Sequence, residues 1–294
     1  MSKNNNPLKQ INMIQKAIIA LAFFFIMVGC EKNEFKNRKN YSPKFVVEGW
    51  IEDGQYPHVI LTHNLPFFTS VDSAQLSEII IRYAKITVSD GVNTEILTGG
   101  KDANYFPSFV YKGTELKGEA GKTYNLTIEY AGFTLTAQTI IPKPVALTKI
   151  WFVPKSNNKQ QLQTQFLDNG SEKNYYKLYT KLDSGKRFIP TLLSNYDDKF
   201  FNGKDFTLQV NRAPENNLTV ASDPFFNTGD TVLVKFATIP KAGYDFWSSF
   251  QDEVLNASNP LIGSTGKIKS NINGMGIGIW CGYGATVYKV VAKP

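Results

Sequence analysis

Apolar positions along this chain recur mostly with a period of two. Tyr124, Leu126 and Ile128 alternate with Asn125, Thr127 and Glu129, the pattern of a strand with one buried face. Further β-branched and aromatic runs occupy 45–52, 58–62, 85–89, 94–97 and 133–139. In the second half they occupy 148–153, 161–167, 175–182, 206–210, 231–239 and 285–291. Turn residues punctuate them: Asp90-Gly91, Ala131-Gly132, Asp168-Asn169-Gly170, Asp183-Ser184-Gly185 and Asn202-Gly203. One stretch changes period. Tyr244, Trp247, Phe250, Val254 and Leu255 fall three and four apart, which predicts an amphipathic helix over 243–257 packed on a sheet.

Gly121-Lys122-Thr123-Tyr124 places a tyrosine at a strand start just after a glycine. Such a tyrosine corner, with many short strands in about 100 residues, predicts an immunoglobulin-like sandwich over 44–142. Pro142 and Pro144 then favour an extended link. Over 145–294 the pattern predicts a β-barrel or strongly coiled sheet with the one helix against it. Gly274, Gly276 and Gly278 alternate with Met275, Ile277 and Ile279. A bare strand face implies a bulky neighbour close by, and the aromatic helix is the expected one. The predicted fold class is therefore all-β: an N-terminal sandwich, then a C-terminal barrel or coiled sheet.

The N-terminus follows a different pattern. An apolar run, Ala17 to Val28, is preceded by Lys3, Lys9 and Lys16 and followed by Gly29-Cys30. Its 12 residues are short of the roughly 20 a membrane span needs, and polar Glu31 to Glu34 follow at once. The order resembles a bacterial lipoprotein signal over 1–29. That resemblance implies cleavage before Cys30, its diacylation, and tethering to a membrane by lipid, with the membrane face left open. Residues 30–43 are polar and without period, a tether from the lipid.

Cleavage leaves 265 residues, enough for one large β domain or two ordinary ones. The formal charge of +7 falls to +4 once the three lysines of the removed segment are gone. Those charges are scattered, with no basic stripe and no zinc-finger spacing, so no nucleic-acid partner is expected. With Cys30 lipidated, Cys281 stands alone between Trp280 and Gly282. It reads as a buried, inert thiol.

Several short stretches recur in a fixed order. They are Val47-Glu48-Gly49-Trp50-Ile51, Ala84 to Gly91, Gly121 to Leu126, Ile140-Ile141-Pro142, Phe225-Phe226-Asn227 with Gly229-Asp230, a helix containing Tyr244, and Ser270-Asn271-Ile272 before Gly274-Met275-Gly276. Together with Cys30 they resemble the Bacteroidota lipoprotein family catalogued as domain of unknown function 4249, over nearly the whole mature chain. The resemblance implies an outer-membrane lipoprotein associated with a TonB-dependent receptor, and it carries no catalytic residues.

A search for chemistry yields little. His58 and His63 are five apart on one strand and face opposite sides. No metal site, cofactor or catalytic motif is expected. Asp197, Asp198 and Asp205 lack calcium-loop spacing and read as a polar hairpin tip. The 39 aromatic residues are mostly core. Pairs beside turns are the exception, and Phe67, Phe68, Tyr105 and Phe106 form the candidate contact patch. The expected function is a lipid-anchored accessory protein of a TonB-dependent transporter rather than an enzyme. The alternatives are a lipoprotein holding a small apolar or glycan ligand in its barrel, and a surface glycan-active enzyme; a peptide is a further candidate partner.

Overall fold

The computed structural model describes residues 44–64, 77–213, 223–257 and 267–293. The described strands are β1 (Phe45–Glu52), β2 (His58–His63), β3 (Lys85–Ser89), β4 (Thr94–Ile96), β5 (Thr98–Lys101), β6 (Phe109–Lys112), β7 (Thr123–Tyr130) and β8 (Phe133–Ile140). They continue as β9 (Leu147–Lys155), β10 (Lys159–Leu167), β11 (Tyr175–Leu182), β12 (Ile189–Asp197), β13 (Asp205–Val210), β14 (Phe226–Asn227), β15 (Thr231–Thr238) and β16 (Gly276–Val291). Helix α1 (Lys241–Ala257) lies between the last two. The described residues are mostly β, with one long helix packed on the sheets.

Three sheets form. The largest has eight strands in the order β12-β11-β15-β16-β1-β2-β6-β5. A four-stranded sheet, β4-β3-β7-β8, shares a core with the β1 end of it, built from Val47, Ile51, Leu61, Ile86, Tyr124 and Trp280 among others. A second, formed by β13, β10, β14 and β9, shares a core with the β11–β15 end, around Phe166, Tyr176 and Phe236. All three sheets are open, with β12 and β5 at the edges of the largest. The coiled-sheet expectation therefore applies, and a closed barrel with an interior does not.

Ile141 belongs to the first core and Val145 packs against the second, and the last strand returns across the residues between them. Residues 276–283 of β16 pair in parallel with all of β1. Residues 284–291 pair antiparallel with all of β15. One 16-residue strand, about 50 Å long at 3.3 Å per residue, thus serves both halves. Ile272 and Trp280 belong to the core of the first half. The expected separate strand at 285–291 is the far end of β16.

Along its first half β16 borrows side chains as partners. The Asn271 carboxamide accepts from the Trp280 N–H at 2.9 Å and donates to the Trp280 carbonyl at 2.8 Å. The Ser270 hydroxyl accepts from the Gly278 N–H at 3.1 Å. These contacts satisfy backbone groups that a neighbouring strand would otherwise serve.

The bare face at Gly274 and Gly276 lies against Thr134, Leu135 and Ile272 rather than the helix, and Gly282 and Gly284 of β16 face the chain link. A Cβ on Gly282 would lie 2.2 Å from the Ile140 carbonyl oxygen, and one on Gly284 would lie 2.0 Å from that of Pro142. The link crosses β16 backbone against backbone, which no side chain would allow. Helix α1 lies on the opposite face, where Gly243 rests on Cys281: a Cβ there would be 2.6 Å from the sulfur.

Local features follow from the sequence. The Tyr124 hydroxyl accepts from the Glu119 N–H at 2.8 Å and donates to the Lys117 carbonyl at 3.3 Å, completing the tyrosine corner. Glu95 on β4 is buried, and its carboxylate accepts from the N–H groups of Thr114, Glu115 (3.0 Å) and Leu116 (2.8 Å). It fixes the turn after β6.

Candidate functional site

Of the sequence-predicted site residues, Cys30, Phe67 and Phe68 lie outside the described residues. Tyr105 and Phe106 are in the loop after β5. Asp102 organises that loop: its carboxylate accepts from the Asn104 N–H at 2.9 Å, and its carbonyl accepts from the Tyr105 N–H at 3.2 Å. The two aromatics diverge from this bend. Phe106 projects into solvent, 62% exposed. Tyr105 turns back onto the large sheet and is half-buried.

There it joins two residues the sequence did not mark. Trp50 on β1 and His58 on β2 are directly opposed across the strand pair. Their rings stack at 5.0 Å with a 2° interplanar angle. Tyr105 tilts against both, at 5.6 Å from Trp50 and 5.9 Å from His58. Lys112, ion-paired to Asp102, sits 5.2 Å above the Tyr105 ring, close enough for a cation–π attraction. All three rings remain partly open to solvent.

The imidazole of His58 is part of this arrangement. Its Nδ1 lies 2.9 Å from the Tyr56 carbonyl, which fits an Nδ1–H donor. Burial lowers its proton affinity, more than the Tyr56 carbonyl raises it, and nearby Lys112 lowers it further. A neutral ring stacked on Trp50 is the result near pH 7.

The same sheet face continues beneath α1, which packs on β11, β12 and β16. Lys177 on β11 is 1% exposed. Its ammonium donates to the Ser194 hydroxyl at 3.1 Å and the Asn195 carbonyl oxygen at 2.8 Å, and lies 4.4 Å from the Trp247 ring centre. Burial pushes Lys177 down to about 7, partly opposed by Glu48. The Trp247 indole donates to the Tyr283 hydroxyl at 2.9 Å. Tyr179 and Tyr283 are both held well above the usual phenol range by burial. Cys281 is likewise buried and pushed up to about 12, so it stays a thiol rather than a nucleophile.

Two carboxylates of β1 border this sealed cluster. Glu52 pairs with Lys235 at 2.6 Å, and Lys235 also lies 4.7 Å from the Tyr179 ring and 5.0 Å from that of Phe188. Glu48 keeps a solvent-facing surface. Loss of solvation nonetheless pushes its carboxyl up, against the pull of Lys177 and Arg187. Trp50 stands between these two acids on the same strand face.

The acids near the Asn202-Gly203 turn do something else. Asp168 accepts from the Tyr176 hydroxyl at 2.5 Å and the Gly203 N–H at 2.8 Å, and Asp198 accepts from the Asn174 N–H at 2.5 Å. Both are buried and pin the turn. Among the described residues, no three His, Cys, Asp or Glu side chains gather as a metal site.

Sequence reasoning read β1 as a strand of partial alternation. The signal for its other face was the set Glu48, Trp50 and Glu52, polar or amphipathic at every second position. Only the pairing with β2 and β16 shows that they share a face with His58, Tyr283 and Lys235.

The arrangement offers flat aromatic faces flanked by charge pairs, which suits recognition of a partner or ligand. A search of the curated proteins finds no match. Among solved structures the chain is similar to bovine butyrophilin, with 9% identity and a TM-score of 0.19 over 67% of this chain and 92% of that one. That likeness carries no argument. The sequence model of the domain of unknown function (DUF4249) matches residues 32–288, and the chain belongs to that family.

Proposed function

We propose that the protein is a lipid-anchored outer-membrane accessory of a TonB-dependent transporter, and that it binds through the aromatic pile of Trp50, His58 and Tyr105. The observation that carries the recognition site is the pile itself: two stacked rings with a third tilted against both, half-open, bordered by the Asp102–Lys112 and Glu52–Lys235 pairs. Trp and Tyr dominate the centres of binding interfaces, where their area is large and little conformational freedom is lost. Charge pairs at the border give orientation. The signal-like order ending at Cys30 supports the anchor. Tethering raises the local concentration, so a modest interface suffices.

The test is affinity purification of a tagged copy from native outer membrane in mild detergent. The wild type is expected to bring down a TonB-dependent barrel in stoichiometric amount. The double variant Trp50→Ala, Tyr105→Ala should lose it while remaining folded. A wild-type protein that migrates alone overturns the accessory reading.

The parallel Trp50–His58 faces favour a second reading, in which a glycan ring stacks on the pile. A native mass spectrum of the protein extracted from its own membrane would show a bound oligosaccharide, and its absence in both bound and free fractions counts against this reading.

A further inference from the structure

The chain enters its folded body at Lys44, whose N–H donates to the Asn64 side chain at 2.7 Å and whose carbonyl accepts from the Asn64 N–H at 3.0 Å. This places Lys44, the first described residue, at one end of the large sheet. Thirteen residues separate Cys30 from Lys44, at most roughly 50 Å of chain when fully extended. The starts of β1 and β16, the end of β2 and the β7–β8 turn all meet there. Phe45 contacts the rings of Tyr130 at 6.0 Å and Phe133 at 5.5 Å, and its N–H donates to the Met275 carbonyl at 3.3 Å.

That end is unlike an ordinary solvated rim. Tyr83 is 90% exposed, Met275 50% and Phe133 43%. Tyr83 and Phe133 line an open groove with Lys85 and Glu129, which pair at 2.7 Å. Lys44 and Arg82 are exposed beside them. The opposite end of β3 provides a contrast. There Val92 is also 90% exposed, but it sits in a turn of Ser89, Asp90, Gly91 and Asn93, held by polar hydrogen bonds. Single exposed apolar residues are common, whereas a group of them is informative.

Resting on the lipid-anchor reading above, we propose that this end of the body docks on the phospholipid bilayer, with Tyr83, Phe133 and Met275 entering the headgroup region. Tyrosine combines an apolar ring with a wet hydroxyl and favours that depth. Lys44 and Arg82 add attraction to anionic headgroups. A single lipid anchor plus a second, protein-borne contact holds more firmly than either alone. Docking by this end would also fix which faces of the sheets a neighbouring membrane protein meets.

The experiment uses the full protein reconstituted in vesicles of phosphatidylethanolamine and phosphatidylglycerol. An environment-sensitive fluorophore is placed at Tyr83→Cys or, separately, at Val92→Cys; Cys281 is buried and takes no label. The label at 83 should shift to the blue and be quenched by spin-labelled lipid, while the label at 92 should do neither. Adding Phe133→Ser and Met275→Ser should reduce the quenching at 83. An intact mass and vesicle flotation accompany each sample. A protein that is acylated and floats but keeps position 83 in water overturns the docking surface alone. A protein without acyl chains that fails to float overturns the anchor reading and the docking surface with it.

Discussion

Replacing Lys177 with methionine tests the packing under α1. The ammonium of Lys177 is sealed between β11, β12 and Trp247, and burial pushes it from 10.5 down to about 7. In the unfolded chain it stays protonated to about 10.4. Between those values the folded protein has released a proton that the unfolded chain still holds. Stability therefore rises with pH through that window. With these two values the gain between pH 7 and pH 9 is about 2 kcal/mol. Lys177→Met keeps most of the stem volume and removes the titration. It leaves the Ser194 hydroxyl and the Asn195 carbonyl without their donor, at a cost of about 1–3 kcal/mol, which offsets relief of the buried charge near pH 7. Urea unfolding followed by tryptophan fluorescence, at pH 7 and pH 9, measures both proteins. The wild type should gain about 2 kcal/mol more than the variant between the two pH values. Cys281 acts in the opposite sense, since it keeps its proton to about 12 in the fold; it is common to both proteins and cancels in the difference. Parallel stabilities from pH 7 to pH 9 would refute the view that Lys177 is charged at a cost inside the fold.

Other perturbations have sharper structural outcomes. Gly284→Ala would place a methyl group against the Pro142 carbonyl oxygen and should cost at least about 3 kcal/mol in thermal or urea unfolding. Burial alone would raise the Glu95 carboxyl, but the N–H groups of Thr114, Leu116 and Glu115 outweigh this and hold it low. Its contribution is thus present above about pH 4.5 and lost as pH falls. Glu95→Gln should cost about 2 kcal/mol at pH 7, with the gap to wild type narrowing at pH 3 in the same unfolding assay. Cys281 should resist a maleimide in the native protein and react fully after unfolding, as followed by mass; labelling of the folded state would mean that α1 does not seal it.

Local patterns proved legible and distant pairings did not. The Asp90-Gly91 and Ala131-Gly132 turns join β3 to β4 and β7 to β8 as the alternation implies. The helix begins two residues before its expected start, and the tyrosine corner forms at Tyr124. These features depend on neighbours in sequence. The β1–β16 pairing depends on residues at opposite ends of the chain, so nothing local announces it. The same is true of the candidate site. Tyr105 was visible as an aromatic beside a turn, but Trp50 and His58 acquire meaning only by facing each other across two strands. Lys177 lies in the run Tyr175-Tyr176-Lys177-Leu178-Tyr179, where a lysine on alternate positions reads as solvent-facing. Its burial is set by a helix that begins more than sixty residues later.

The shared strand also sets an order of events. β1 is among the first segments of the body to be made, yet its partner on one side, Gly276 to Tyr283, is among the last. Closing such a distant contact is slow and costs loop entropy. Until it forms, Trp280 is missing from the first core and β15 lacks a neighbour. A chain emerging during synthesis would therefore remain incompletely folded until residues 276–291 arrived. Two half-bodies thus share one closing step, and truncation of the last twenty residues would leave both halves without their common strand.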